Sequence, residues 1–163
     1  MIPLDLTFIN SRSPYTVWKG EGFYSFYSEY GILYSVEFEK DYFGGNPVYW
    51  FNLTNRSSKA SPNDRNVQAT IVCIIEEFFR SNTDVILYMC DTADNQQAMR
   101  ARLFSRWFNT YEAKQSYIMK TAIVETEGQQ DFVVLIVSTR HPHAKLIAEL
   151  FDAEVSALKA HKP

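Results

Sequence analysis

Two segments of the chain are apolar without interruption, Val85-Ile86-Leu87-Tyr88-Met89-Cys90 and Phe132-Val133-Val134-Leu135-Ile136-Val137. Consecutive side chains of a strand point to opposite faces, so an unbroken apolar hexapeptide describes a strand that is covered on both sides. A chain holding two of them must build a sheet with these strands in its interior and supply elements for both faces. The strand over 84–90 is expected at the sheet centre and feeds a helix over 91–107.

Periodicity supplies the remaining elements. Ile32, Tyr34, Val36 and Phe38 alternate with Ser35, Glu37 and Glu39, the pattern of a half-buried strand. A strand over 22–27 precedes it across Ser28-Glu29-Tyr30-Gly31, and one over 47–54 follows Gly44-Gly45-Asn46, so turn residues bracket a meander. After a polar loop over 55–63, Val67, Ile71, Ile74, Ile75 and Phe78 recur at helical spacing behind a cap at Asn63 or Asp64. The helix over 91–107 carries Met99, Leu103, Phe104 and Trp107 on one side and Arg100, Arg102 and Arg106 on the other. Strands over 116–124 and 131–139 form a hairpin, and a last helix opens near Pro142, burying Leu146, Ile147, Leu150, Phe151, Val155 and Leu158. The expected fold class is α+β, with a mixed, mostly antiparallel sheet in the order βββ-α-β-α-ββ-α and a single domain over 1–163.

Charge and cysteine usage exclude several functions. With 19 acidic and 16 basic residues the net charge is −3, which leaves no basic face for a phosphate backbone, so nucleic acid is not an expected partner. Cys73 and Cys90 sit in apolar runs and form no disulfide framework, as suits a reducing compartment. Residues 1–10 lack the basic start and apolar length of a signal peptide, and no apolar run approaches the roughly 20 residues of a membrane span. A soluble cytoplasmic protein is expected, without a membrane partner.

Asp91 and Asp94 follow the central strand at a helix start, where open sheets often place ligands. As a pair they suit a hard cation or a general base, although Asp also caps helices and meets the positive end of the dipole. Arg100 and Arg102, with Arg106, offer forked donors to a small anion. His141 and His143 flank Pro142, but no thiolate or further histidine is patterned to complete a zinc site, and neither metal nor cofactor is expected. No Ser-His-Asp or Cys-His set can be assembled.

The chain has 3 Trp, 10 Tyr and 12 Phe, and Tyr15, Trp18, Phe23, Tyr24, Phe26, Tyr27, Tyr30 and Tyr34 crowd its first third. Cross-strand packing accounts for many of these rings. Neighbouring residues on one strand face opposite ways, however, so Phe23-Tyr24 and Phe26-Tyr27 cannot all enter one core. Trp18, Tyr24, Tyr27 and Tyr30 are therefore the expected interaction surface, for a protein partner or a second copy.

Tyr24-x-Phe26, Gly31-x-x-Tyr34-x-Val36-x-Phe38, Thr70-Ile71, Tyr88-x-Cys90-Asp91 and Arg100-x-Arg102-Leu103-Phe104-x-x-Trp107-Phe108 resemble an uncharacterised family of bacterial domains of unknown function, found mainly in Bacteroidota. That resemblance implies one fold in a bacterial cytosol and no particular activity. More distantly, the element order and Asn95-x-x-Ala98 resemble the acetyl-coenzyme A-dependent N-acetyltransferases. The superfamily's tyrosine acid is replaced here by Arg102, and residues 55–70 contain none of the glycines with which it cradles pyrophosphate. A non-catalytic protein-interaction or regulatory module is the leading expectation. The alternatives are an acetyltransferase-like acyl-coenzyme A-binding protein and a small-anion sensor built on Asp91, Asp94, Arg100 and Arg102.

Overall fold

A computed structural model of the chain describes residues 1–57, 59, 64–90, 106, 109, 111–126 and 129–160. Its strands are β1 (Trp18–Lys19), β2 (Tyr24–Tyr27), β3 (Leu33–Phe43), β4 (Asn46–Asn55), β5 (Val85–Cys90), β6 (Tyr117–Thr126) and β7 (Gln129–Ser138). The described helices are α1 (Leu6–Arg12), α2 (Arg65–Ser81), α3 (Tyr111–Ser116) and α4 (Ala144–Ala160). Hydrogen-bonded neighbours run β1-β2-β3-β4-β5-β7-β6 in one seven-stranded sheet. The β1–β2, β2–β3, β5–β7 and β6–β7 pairs are antiparallel. The α+β class is as the sequence implies, and β5 and β7 are interior strands, with Val85–Tyr88 and Val134–Val137 buried on both faces. Apart from Arg106, the helix expected over 91–107 lies outside the described residues.

Periodicity missed α1 and β1. The seven-residue α1 buries Ile9 alone, and the two residues of β1 are both exposed, so neither is long enough to show a pattern.

The chain forms two compact units, the first made of Met1–Glu39 with Phe51–Asn82 and the second of Lys40–Trp50 with Thr83–Pro163. In the first, the register sets Tyr24 against Val36 and Phe26 against Tyr34, which brings these side chains to one face. Phe38 stacks on Phe78 of α2 at 5.1 Å and meets Phe51 edge-on at 5.6 Å. Helix α2 turns Val67, Ile71, Ile74, Ile75 and Phe78 to that core at the expected spacing, and the Asp64 side chain accepts from the Asn66 N–H as its cap.

Side chains of the first unit fasten its N-terminal segment. Asn82 accepts from the Ile2 N–H at 2.8 Å and donates to the Ile2 carbonyl at 3.2 Å. The Leu4 N–H donates to Tyr24 Oη at 3.1 Å. Glu77, fully buried, accepts from the Asp5 N–H at 2.7 Å, from Ser81 Oγ at 3.2 Å and from the Arg80 guanidinium. Asp5 in turn caps α1 by accepting from the Thr7 and Phe8 N–H groups. Glu77 thus carries the junction between α1 and α2.

In the second unit, Val85 and Leu87 of β5, Leu135 and Val137 of β7, Ala122 of β6 and Val48 of β4 meet Ala144, Ile147 and Phe151 of α4. Helix α4 starts at Ala144 and not at Pro142. Residues 141–143 form a turn in which the Ala144 N–H donates to the His141 carbonyl at 3.2 Å. Leu146, expected in the core, is 59% exposed, because it precedes Ile147 and a one-residue step rotates a side chain about 100° around the axis. The side chains of Val155 and Leu158 lie outside those described.

Gly44 and Gly45 join β3 to β4 with φ of 57° and 79°, the paired positive values that a two-residue type I′ hairpin requires. A Cβ at Gly44 would overlap the Leu150 side chain, whereas at Gly45 it would meet open space. Gly44→Ala should therefore cost about 2–4 kcal/mol in urea unfolding and Gly45→Ala about 1 kcal/mol. Equal losses would show that the Leu150 contact is irrelevant. Glu77→Ala should cost roughly 2–3 kcal/mol, since it removes the shared acceptor of the Asp5 N–H, Ser81 Oγ and the Arg80 guanidinium. A loss within ~0.5 kcal/mol of zero would remove Glu77 from its place at the α1–α2 junction.

Candidate functional site

Alternation that turns Tyr24 and Phe26 into the first unit's core turns Phe23, Ser25 and Tyr27 to the opposite face of β2. Across the strands, Trp18 pairs with Ser25, Ser25 with Ser35, and Tyr27 with Leu33, so two rows of side chains cross this outer face. Trp18 and Tyr27 pack ring to ring at 5.4 Å, yet they remain 39% and 54% exposed. Tyr30 is also 54% exposed and stands in a tight turn. There the Gly31 N–H donates to the Ser28 carbonyl, and Ser28 Oγ accepts from the Tyr30 and Ile32 N–H groups.

Ser25 and Ser35 lie beneath the aromatic rim, buried, with their hydroxyls 3.4 Å apart. Arg56, just past β4, donates from Nε to Ser35 Oγ at 3.1 Å, and its guanidinium lies over the Phe23 ring at 4.6 Å. Its backbone N–H donates to the Leu33 carbonyl at 2.8 Å. The outer face is thus a patch of exposed Trp and Tyr around two small buried hydroxyls, with one cation held at three points.

Tyr24 does not belong to this surface. It is 4% exposed, its hydroxyl is engaged by Leu4, and the Lys19 ammonium lies 5.7 Å above its ring. Strand parity explains the difference, since Tyr24 sits between two outward-facing residues. Asp91, Asp94, Arg100 and Arg102 lie outside the described residues.

Arg56 was missed because the sequence places it in a polar loop, 21 residues from Ser35. The available signal was Ser25 and Ser35 themselves, two small polar residues in otherwise aromatic strands.

Cys73 is a free, half-buried thiol whose pKa is raised mainly by burial, the opposite of an activated nucleophile. His141 Nδ1 accepts from the His143 N–H at 3.0 Å, so that ring nitrogen is already occupied. Among the described residues no group of three or more His, Cys, Asp or Glu is placed to hold a metal ion, and no helix is long and apolar enough to cross a membrane.

Together these features define an α+β protein whose first unit carries an aromatic outer sheet face. Residues 63–153, more than half of the chain, match the family of unknown function DUF6169, and the chain belongs to that family. The matched span begins after the strands that carry the aromatic face. No curated protein and no solved structure matches the chain.

Burial, then the charge of His143, lowers the pKa of His141, while Asp84 pulls it upward. The folded protein therefore binds this proton less well than the unfolded chain. The associated stability is present above the unfolded imidazole value of about 6.5 and is lost as pH falls through the lower folded value. In urea unfolding, His141→Asn should flatten the decline of stability between about pH 7.5 and 5.5. An unchanged slope would assign that decline to other groups.

Proposed function

We propose that the chain is a non-catalytic bacterial cytoplasmic module that acts through protein contacts made by the outer face of β1, β2 and β3. The Trp18–Tyr27 pair supports this reading, being large, mutually packed and exposed. Burying such side chains is worth roughly 1.5–3 kcal/mol each. An arrangement that leaves Trp18 and Tyr27 39% and 54% exposed has the corresponding part of that free energy still to gain from a partner. Trp and Tyr are also the residue types that dominate binding hot spots, because they bring much area with few rotatable bonds. Tyr30 extends the same chemistry from a turn held by Ser28.

A second reading, an acyl-coenzyme A-binding protein with an acetyltransferase-like core, draws support from the succession β2-β3-β4-α2-β5 and the closing β6–β7 hairpin. The start of α2 weighs against it. Asp64 already places a carboxylate there, bonded to the Asn66 N–H at 2.9 Å and to Tyr15 Oη at 2.7 Å, and a pyrophosphate would meet that negative charge.

A photo-crosslinking residue at position 27 or 30, incorporated in the cell of origin, should give a discrete protein adduct, and one at the exposed Thr121 should not. Trp18→Ser should abolish the adduct while leaving the melting temperature within about 2 °C, because its ring lies at a rim. Absence of any adduct at both positions would discard the reading. A rise in melting temperature with saturating acetyl-coenzyme A would favour the second.

A further inference from the structure

The contact face carries charge as well as aromatic surface. Arg56 is immobilised by its Nε bond to Ser35 and its seat on Phe23, so most of the entropy of ordering a long side chain is lost before any partner arrives. Its two terminal nitrogens have no acceptor among the described residues. They present the planar fork that receives a carboxylate through two parallel bonds.

Glu37 stands on the same face as Ser35, since it lies two residues further along β3 and Val36 between them points to the core. It is exposed and, among the described residues, makes no hydrogen bond or ion pair. The next carboxylate along β3, Glu39, is engaged by Asn52 Nδ2 at 3.5 Å. One face therefore holds a pre-set cation and a free carboxylate that do not pair with each other within the chain.

We infer that the occupant of this face is a second copy of the chain, related by a twofold axis, with Arg56 of each protomer seated on Glu37 of the other; the inference rests on the protein-contact reading above. A surface with both signs of charge and its own aromatic pair complements itself, and a twofold contact is the arrangement in which residue i meets j while j meets i. An acidic peptide would satisfy Arg56 but be repelled by Glu37 and Glu39, and a basic one would face Arg56. Sheets stacked face to face lie about 10 Å apart, a separation that side chains of this size span. Trp18 and Tyr27 would then lose their remaining exposure against the partner.

Sedimentation velocity over a range of concentrations should show a dimer for the parent chain. Arg56→Glu alone and Glu37→Arg alone should each weaken it roughly tenfold or more, with circular dichroism melts confirming that both variants fold. Mixing the two variants should restore the dimer, because every reversed group then meets its complement. The Arg56→Glu/Glu37→Arg double variant should dimerise by itself for the same reason. A parent dimer insensitive to either single reversal, or a mixture that fails to reassemble, overturns the inference. So does a parent that stays monomeric while the position 27 crosslink captures a different protein, a result that leaves the protein-contact reading standing. A monomer with no adduct removes both.

Discussion

A β-strand sends consecutive side chains to opposite faces, and Phe23-Tyr24-Ser25-Phe26-Tyr27 places four aromatic rings on one short stretch of chain. No register buries all four in one layer. The observed register buries Tyr24 and Phe26 against Tyr34, Val36 and Phe38, which commits Phe23 and Tyr27 to the other side. Each outward ring then acquires local cover, a guanidinium over Phe23 and an indole beside Tyr27. The cover is partial, and the exposed aromatic face is what strand parity leaves over once the core is filled.

The core side of the same strands explains why that face is well held. Phe38 stacks on Phe78 of α2, and α2 carries Glu77, whose carboxylate collects the Asp5 N–H, Ser81 and Arg80 at one buried point. A buried carboxylate is stable only with such donors, so the geometry of α1 relative to α2 is set by polar bonds and not by apolar contact alone. The chain leaving α1 reaches Val17, whose N–H and carbonyl both bond the Asn10 side chain, and so arrives at Trp18 in a defined position.

Much of this was legible in the sequence where one element speaks for itself. Apolar continuity revealed β5 and β7 as interior strands, spacing marked α2, and paired glycines located the β3–β4 turn. Elements that draw their identity from distant residues were not legible. Helix α1 depends on Glu77, 72 residues from Asp5, and β1 exists only through pairing with β2. The same division runs through the site. An excess of aromatics indicated that some rings stay outside the core, as the exposed Trp18, Tyr27 and Tyr30 do, but the burial of Tyr24 required the register, and Arg56 required the fold to bring it to Ser35. Leu146 shows the complementary error, in which an apolar residue next to a core stripe was assigned to the stripe.

The shape of the sheet edge decides how such a surface can be used. A long bare edge strand invites another strand to pair with it, and natural sheets blunt such edges with short strands and lysine. Here β1 is two residues long and one of them is Lys19, whose ammonium is drawn over the Tyr24 ring. Strand addition has little ladder to extend, while the adjoining face offers rings, hydroxyls and a fixed guanidinium. A contact made here would therefore fall on the face of the sheet, where side-chain chemistry sets specificity, and not on the edge, where backbone pairing would accept almost any extended segment.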